Sequence, residues 1–336
     1  MRLINTETGL MEDFIGDDIP EYAILSHTWE KDEISLQEFQ RLTDPDFADD
    51  PKTAVGKAKA GFIKIKGCVQ LAASRGITYA WIDTCCIDKT SSADLTESIN
   101  SMYRWYANSK VCFAYLVDVQ PVYGVGKPLA WQNSRWFSRG WTLQELIAPS
   151  HVEFFFNSWD YMGSRGSWAV MLSNLTGIPV AVLETNDLSS ASVAQKMSWA
   201  SHRKTTRRED MAYCLLGLFD INMPLLYGEG EKAFLRLQEH ITASSTDHSL
   251  FAWGVDSGSA DPLGYGLQRF VELENDGSHK PNARLSRCVI TLRETKKTQY
   301  SLNLPLSFDG TRKMSSSPCM SQQIFKIRSP YNTEPK

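Results

Sequence analysis

Three short runs of almost unbroken apolar residues, spaced by helical stretches, constrain this chain most. They are Tyr22 to Ser26, Ile77 to Ile82 and Lys110 to Val117, each followed at once by a polar turn. A strand apolar on every residue is buried on both faces, as in a parallel sheet covered by helices. Right-handed crossovers between such strands favour an open, doubly wound sheet. In that architecture ligands bind beyond the carboxyl ends of the strands. Ser26 to Trp29, Asp83 to Asp88 and Asp118 onward all fall at that edge.

The intervening segments fit the same plan. Residues 43 to 53, rich in Asp and Pro, read as a loop. Phe62, Ile65, Val69 and Ala72 recur at helical spacing, which predicts one helix from Val55 to Arg75, stopped by Gly76. Ser91 with Asp94 makes a capping-box pattern ahead of the face Leu95, Ile99, Met102 and Tyr106. Residues 119 to 133 read as a Gly- and Pro-bearing loop. A helix starting near Trp141 ends at Pro149, and Val152 to Phe156 is a further strand. Residues 160 to 245 look mostly helical, with a second capping-box pattern at Thr206 to Glu209 and a helix over Ala233 to Ile241. Beyond Ser244 the character changes. Tyr300, Leu302, Leu304 and Leu306 alternate with polar residues as in a half-buried strand, and residues 309 to 336 have a disordered composition.

The expected division is therefore an α/β core over 1–160, a helical extension over 161–245, a divergent segment with short strands over 246–308, and a tail over 309–336. Composition narrows the function classes. The formal net charge of -4 leaves no electrostatic footprint for nucleic acid. Arg203, Lys204, Arg207 and Arg208 are followed directly by Glu209 and Asp210. They read as a solvated helix start, with an anion site as the alternative. Seven cysteines, without a C-x-x-C pair, fit neither a disulfide framework nor a zinc site. No signal peptide and no membrane-length apolar run is visible, so a reducing, cytoplasmic compartment is expected.

Four segments stand out in order: Tyr22-Ala-Ile-Leu-Ser-His-Thr-Trp29, Trp81-Ile-Asp-Thr-Cys-Cys-Ile-Asp-Lys89, Ile99-Asn-Ser-Met-Tyr-Arg-Trp-Tyr106, and Ser134-Arg-Trp-Phe-Ser-Arg-Gly-Trp-Thr-Leu-Gln-Glu-Leu-Ile-Ala-Pro149. Together they resemble the signature of the fungal heterokaryon-incompatibility (HET) domain. Thr206 to Gly217 and Pro224 to Gly230 resemble the segment that follows it, and Ser249 to Trp253 its continuation. The resemblance covers roughly residues 1 to 245. It implies a role in vegetative incompatibility, in which fusion of unlike hyphae triggers programmed cell death. It also implies partners: self-association, and other incompatibility or NACHT-type signalling proteins. No Walker-type Gly-x-x-x-x-Gly-Lys is present, so these residues do not form that NTPase.

A second, shorter resemblance concerns chemistry. Trp141-Thr-Leu-Gln-Glu-Leu146 is similar to a segment of plant TIR domains, several of which hydrolyse NAD with the glutamate at the position of Glu145. The resemblance implies a TIR-like α/β fold, Glu145 as the catalytic carboxylate and NAD as substrate, with no resident cofactor. Helical geometry sets Glu145 about 200° from Leu143 and Ile147, so it is expected to face solvent or a cleft, on the same side as Trp141. Breaking the nicotinamide–ribose bond develops oxocarbenium character that a carboxylate can stabilise. The plainer reading is an exposed helix glutamate paired with an arginine.

The other candidates are substrate-binding. Ser26, His27 and Trp29 follow the first strand, and His27 reads equally as a structural histidine. Asp83, with Asp88, suits ribose recognition or loop and helix capping. Arg135 and Arg139 suit a pyrophosphate, or surface solvation and a carboxylate pair. Trp141 offers a ring to stack. Cys85 and Cys86 lack an assignable general base, which argues against a cysteine nucleophile.

Overall fold

A computed structural model describes residues 1–16, 18–121, 130–251, 291–295 and 299–303. Strands β1 (Arg2–Asn5), β2 (Met11–Asp13), β3 (Tyr22–His27), β4 (Tyr79–Trp81), β5 (Val111–Leu116), β6 (Val152–Phe156) and β7 (Tyr161–Ser164) form one sheet in the order β2-β1-β4-β3-β5-β6-β7. The central four, β4-β3-β5-β6, are parallel. Antiparallel partners close both edges: the β1–β2 hairpin on one side and β7 on the other. The α/β class and the mainly parallel sheet expected from the apolar runs are therefore observed.

All residues of β3, β5 and β6 are buried, which explains their continuous apolarity. Ile24 of β3 lies beside Trp81 of β4 and Cys112 of β5, so the three sequence runs are neighbours, with the first in the centre. The chain leaves β3 toward β4 on one side, then crosses back to β5 on the other. With right-handed crossovers this puts the two connections on opposite faces and makes the β3/β5 boundary the topological switch point.

Helices α1 (Leu36–Thr43), α2 (Pro51–Lys57) and α3 (Ala60–Ser74) connect β3 to β4, and α4 (Asp83–Cys86) and α5 (Ser92–Asn108) connect β4 to β5. The single helix expected over Val55 to Arg75 is two, broken at residues 58–59. The expected loop over 43–53 already contains a 3-10 turn and the start of α2. Asp44 and Asp50 cap these elements, and each is followed by a proline at the first position, where the missing N–H costs nothing. Ser91 accepts the Asp94 N–H as expected, but the box is not reciprocal. The Asp94 carboxylate instead accepts the Asp88 N–H and pairs with Arg2.

Helix α6 (Thr142–Ile147) precedes β6. Past residue 160 the first element is β7, so the sheet extends into the segment read as mostly helical. Helices α7 (Ala169–Thr176), α8 (Val180–Thr185), α9 (Val193–Ser201), α10 (Asp210–Tyr213) and α11 (Lys232–Ser244) follow. They share the sheet's core. Trp168 stacks on Phe154 of β6 at 5.1 Å and on Trp131 at 4.4 Å. The capping box expected at Thr206 to Glu209 does not form. Helix α10 has no side-chain cap, and the Glu209 carboxylate instead accepts the N–H groups of Gly228 and Gly230. A carboxylate pinned by two loop amides serves better there than one capping a four-residue helix.

A separate antiparallel hairpin joins Thr291–Thr295 to Gln299–Asn303. It contains Tyr300 and Leu302 of the expected alternating strand. Leu304, Leu306, residues 309–336 and Ala252 to Trp253 lie outside the described residues, as do 122–129 of the expected loop. Among the described residues, no helix is long and apolar enough to cross a membrane.

Candidate active site at the strand carboxyl ends

The carboxyl end of β3 brings Ser26 and His27 to the switch point, and both are buried. Ser26 donates its hydroxyl proton to Glu145 Oε2 at 2.5 Å. It accepts the Trp136 indole N–H at 2.8 Å. The result is a chain of donors, Trp136 to Ser26 to Glu145, anchored on a strand that cannot move without breaking the sheet. Tyr106, whose hydroxyl donates to the Leu25 carbonyl, also lies within hydrogen-bond reach of the Glu145 carboxyl.

Glu145 does not face away from the core: its relative exposure is 5%. The helical-wheel expectation was wrong because every residue of α6 is buried. A six-residue helix wedged between the sheet, α5 and the extension has no solvent face for periodicity to reveal. Burial pushes the Glu145 carboxyl up to about 8; the Ser26 hydrogen bond opposes this, Asp83 adds to it, and Arg139 and Arg203 offset it. The alternative of an exposed glutamate in a surface ion pair is likewise not what the structure shows.

Asp83, the first residue of α4, stands beside this group. It accepts the Trp29 indole N–H at 2.8 Å, and its other oxygen lies 3.5 Å from His27 Nε2. His27 Nε2 is also 3.9 Å from Glu33, whose second oxygen pairs with the buried Lys64 at 2.5 Å. Neither ring nitrogen of His27, nor Asp83 Oδ1, has a hydrogen-bond partner of good geometry. Burial pushes His27 well below its ordinary range, and Lys64, Lys89 and Arg139 push the same way. Burial raises the Asp83 carboxyl, against Lys89 and the Trp29 bond. Buried polar groups without partners are rare in folded proteins and mark strained or functional places. The cluster is thus a neutral imidazole beside a reluctant carboxyl, next to a second carboxyl that is protonated near neutrality.

Trp29 is 45% exposed, with Lys89 Nζ 3.7 Å over its ring. Arg135 is not free for a ligand in this state, being paired with Glu30 at 2.5 Å and lying 3.5 Å from Asp118. Arg139 bonds to Thr206, and its electrostatic influence reaches both His27 and Glu145. Trp141 hydrogen-bonds to Asp210. Asp88 caps its own loop, accepting from Thr90 and Gln37. Cys85 and Cys86 are buried, and burial raises the Cys85 thiol far above its usual range, which leaves it protonated and unreactive.

Sequence reading connected none of three residues that the fold brings to Glu145, namely Trp136, Tyr106 and Arg203, with that carboxyl. Trp136 and Tyr106 lie inside quoted motifs but carry no mark of their partners. Arg203 was read with its neighbours as a solvated helix start, with an anion site as the alternative. It is instead buried, donating Nη1 to the Arg139 carbonyl and to Thr142 Oγ1 at the start of α6. At the other end of α6, the buried Arg165 donates to the carbonyls of Leu146, Ile147 and Ser150. Asn186 holds those of Ile147, Ala148 and Pro149. The helix carrying Glu145 is clamped at both ends by side chains from beyond residue 160. Among the described residues, no group of three or more His, Cys, Asp or Glu is placed to hold a metal.

This arrangement belongs to a chain that carries the HET domain. Residues 22–128 match the family model described as Heterokaryon incompatibility protein (HET). The chain is 45% identical over 236 residues to the vegetative incompatibility protein HET-E-1 of Podospora anserina. That match takes in 68% of this chain but 17% of the Podospora protein, so the chain spans a small part of its relative. The chain belongs to the HET-domain family. No solved structure matches.

Proposed function

We propose that the chain acts in heterokaryon incompatibility as a cytoplasmic cell-death signalling module, and that Glu145 hydrolyses the nicotinamide–ribose bond of NAD in a TIR-like manner. The incompatibility role rests on the family and on the likeness to HET-E-1. The enzymatic reading rests on one observation: a carboxyl pushed to about 8 is held by Ser26 at the switch point, beside Asp83 and the unpartnered His27. In the reaction, water adds to the ribose C1′, the C1′–N bond breaks, nicotinamide leaves with the bonding pair, and ADP-ribose and one proton result. In the molecules in which Glu145 is ionised, its carboxylate stabilises the oxocarbenium character at C1′ and takes up the water proton, so release rises as pH approaches about 8. Trp29 offers a partly exposed ring face at the rim.

Access requires opening, because Ser26 and Glu145 are almost fully covered. The same burial favours a second reading, a non-enzymatic domain whose self-association, with NACHT-type partners, recruits a death pathway. Incubation of assembled protein with NAD, with nicotinamide followed by chromatography, separates the two. Release abolished by Glu145→Gln supports the enzyme. Release indifferent to that substitution rejects Glu145. Absence of release with toxicity retained in Glu145→Gln cells supports the scaffold.

A further inference from the structure

Two cations stand at the rim of the Ser26–Glu145 site without an ionic partner among the described residues. Lys89 is exposed and follows α4. Its Nζ lies 3.7 Å over the Trp29 ring. That indole is 2.8 Å from Asp83, which in turn stands 3.5 Å from His27. Arg139 is half-buried in the turn before α6. Its backbone N–H bonds to the carbonyl of Trp136, the residue whose indole meets Ser26. Its guanidinium makes one side-chain bond among the described residues, from Nη1 to Thr206 Oγ1 at 3.3 Å. The charges of Lys89 and Arg139 both reach His27, one from the end of β4 and the other from the turn ahead of α6.

The carboxylates nearby are engaged elsewhere. Asp83 accepts the Trp29 indole, Glu33 pairs with Lys64, and Glu30 and Asp118 face Arg135. Ligands of such sheets bind at the strand carboxyl ends, where both free cations lie. The cation–π contact over Trp29 is weaker at an exposed site than a charge-assisted hydrogen bond to phosphate. An arriving phosphate therefore draws Lys89 off the ring and uncovers that face for a base to stack. We infer that Lys89 and Arg139 together seat the pyrophosphate of a nicotinamide dinucleotide, Lys89 as a mobile point charge and Arg139 as a planar fork. Two separate cations suit two linked phosphates, so a dinucleotide is preferred to a nucleoside. The inference rests on the NAD reading and names its phosphate anchors.

ADP-ribose carries the pyrophosphate and lacks the scissile bond, so its calorimetric titration into the full chain tests the seats without an activity readout. ADP-ribose should bind and phosphate-free adenosine should not. Lys89→Gln and Arg139→Gln should each weaken ADP-ribose binding roughly tenfold or more and lessen its salt dependence, which a purely structural role would leave unchanged. Lys89→Arg should keep most of the affinity. Lys66→Gln, which removes an exposed lysine of α3, should keep all of it. Circular dichroism checks the fold of each variant. Failure of ADP-ribose to bind, equal binding of adenosine, or unchanged affinity and salt dependence in both Gln variants would overturn the proposal. The hydrolysis reading fails separately. ADP-ribose held through both cations by assembled protein that releases no nicotinamide keeps the seats and rejects the enzyme. Nicotinamide release with ADP-ribose affinity unmoved by either Gln variant keeps the enzyme and rejects the seats.

Discussion

Ser26 and Glu145 are 119 residues apart in sequence and share a 2.5 Å hydrogen bond in the buried interior. Ser26 also satisfies the Trp136 indole, so one hydroxyl joins β3, the turn before α6, and α6 itself. Ser26→Ala leaves both partners buried and unmet. It should cost roughly 1–3 kcal/mol in chemical denaturation. Because the lost bond opposes the upward push on Glu145, it should also raise the carboxyl further. A variant as stable as the parent would show that the pair is incidental.

Stability should depend on pH through Glu145. Its ordinary value of 4.5 becomes about 8 in the fold. Between these values the folded chain keeps a proton that the unfolded chain releases, so stability present below pH 4.5 is lost progressively as pH rises toward and past 8. Glu145→Gln is neutral throughout and should flatten that decline, which for the parent is on the order of a few kcal/mol. Urea unfolding between pH 5 and 8.5 provides the measurement. Parallel pH slopes in the two proteins would contradict the assignment.

Asn186 has a φ of 63° and donates to three carbonyls at the end of α6. Asn186→Gly tolerates the backbone but removes the bonds, and should lose about 2–3 kcal/mol. Asn186→Ala should lose a further ~1 kcal/mol from the left-handed backbone. Equal losses in the two variants would mean that the conformation relaxes.

Gly217 lies where a Cβ would come within 2.0 Å of the Tyr103 Cβ on α5. Gly217→Ala should therefore destabilise by about 1–3 kcal/mol or more through overpacking between extension and core, read as a lower thermal midpoint. An unchanged midpoint would show that the two parts are not tightly joined there.

The legible parts of the fold were those where one residue's chemistry decides its own place. Strands β3, β5 and β6 were readable because burial on both faces demands apolar residues throughout. The β1–β2 hairpin and β7 were not: strands of three or four residues are too short to carry a pattern. Glu145 was marked by motif and placed on the wrong side by periodicity, because a short helix enclosed on all sides breaks the rule that periodicity assumes.

By itself the sequence determined the class of fold, the order of its buried strands, and which polar residues would stand at their carboxyl ends, since each follows from local apolarity and chain order. Only the tertiary structure decided that Ser26, Trp136 and Glu145 form one chain, that Arg203 turns inward, and that residues beyond 160 clamp α6. Those are pairings between distant segments. Desolvation sets both their strength and their effect on protonation, and it exists only once the surrounding elements have closed over them.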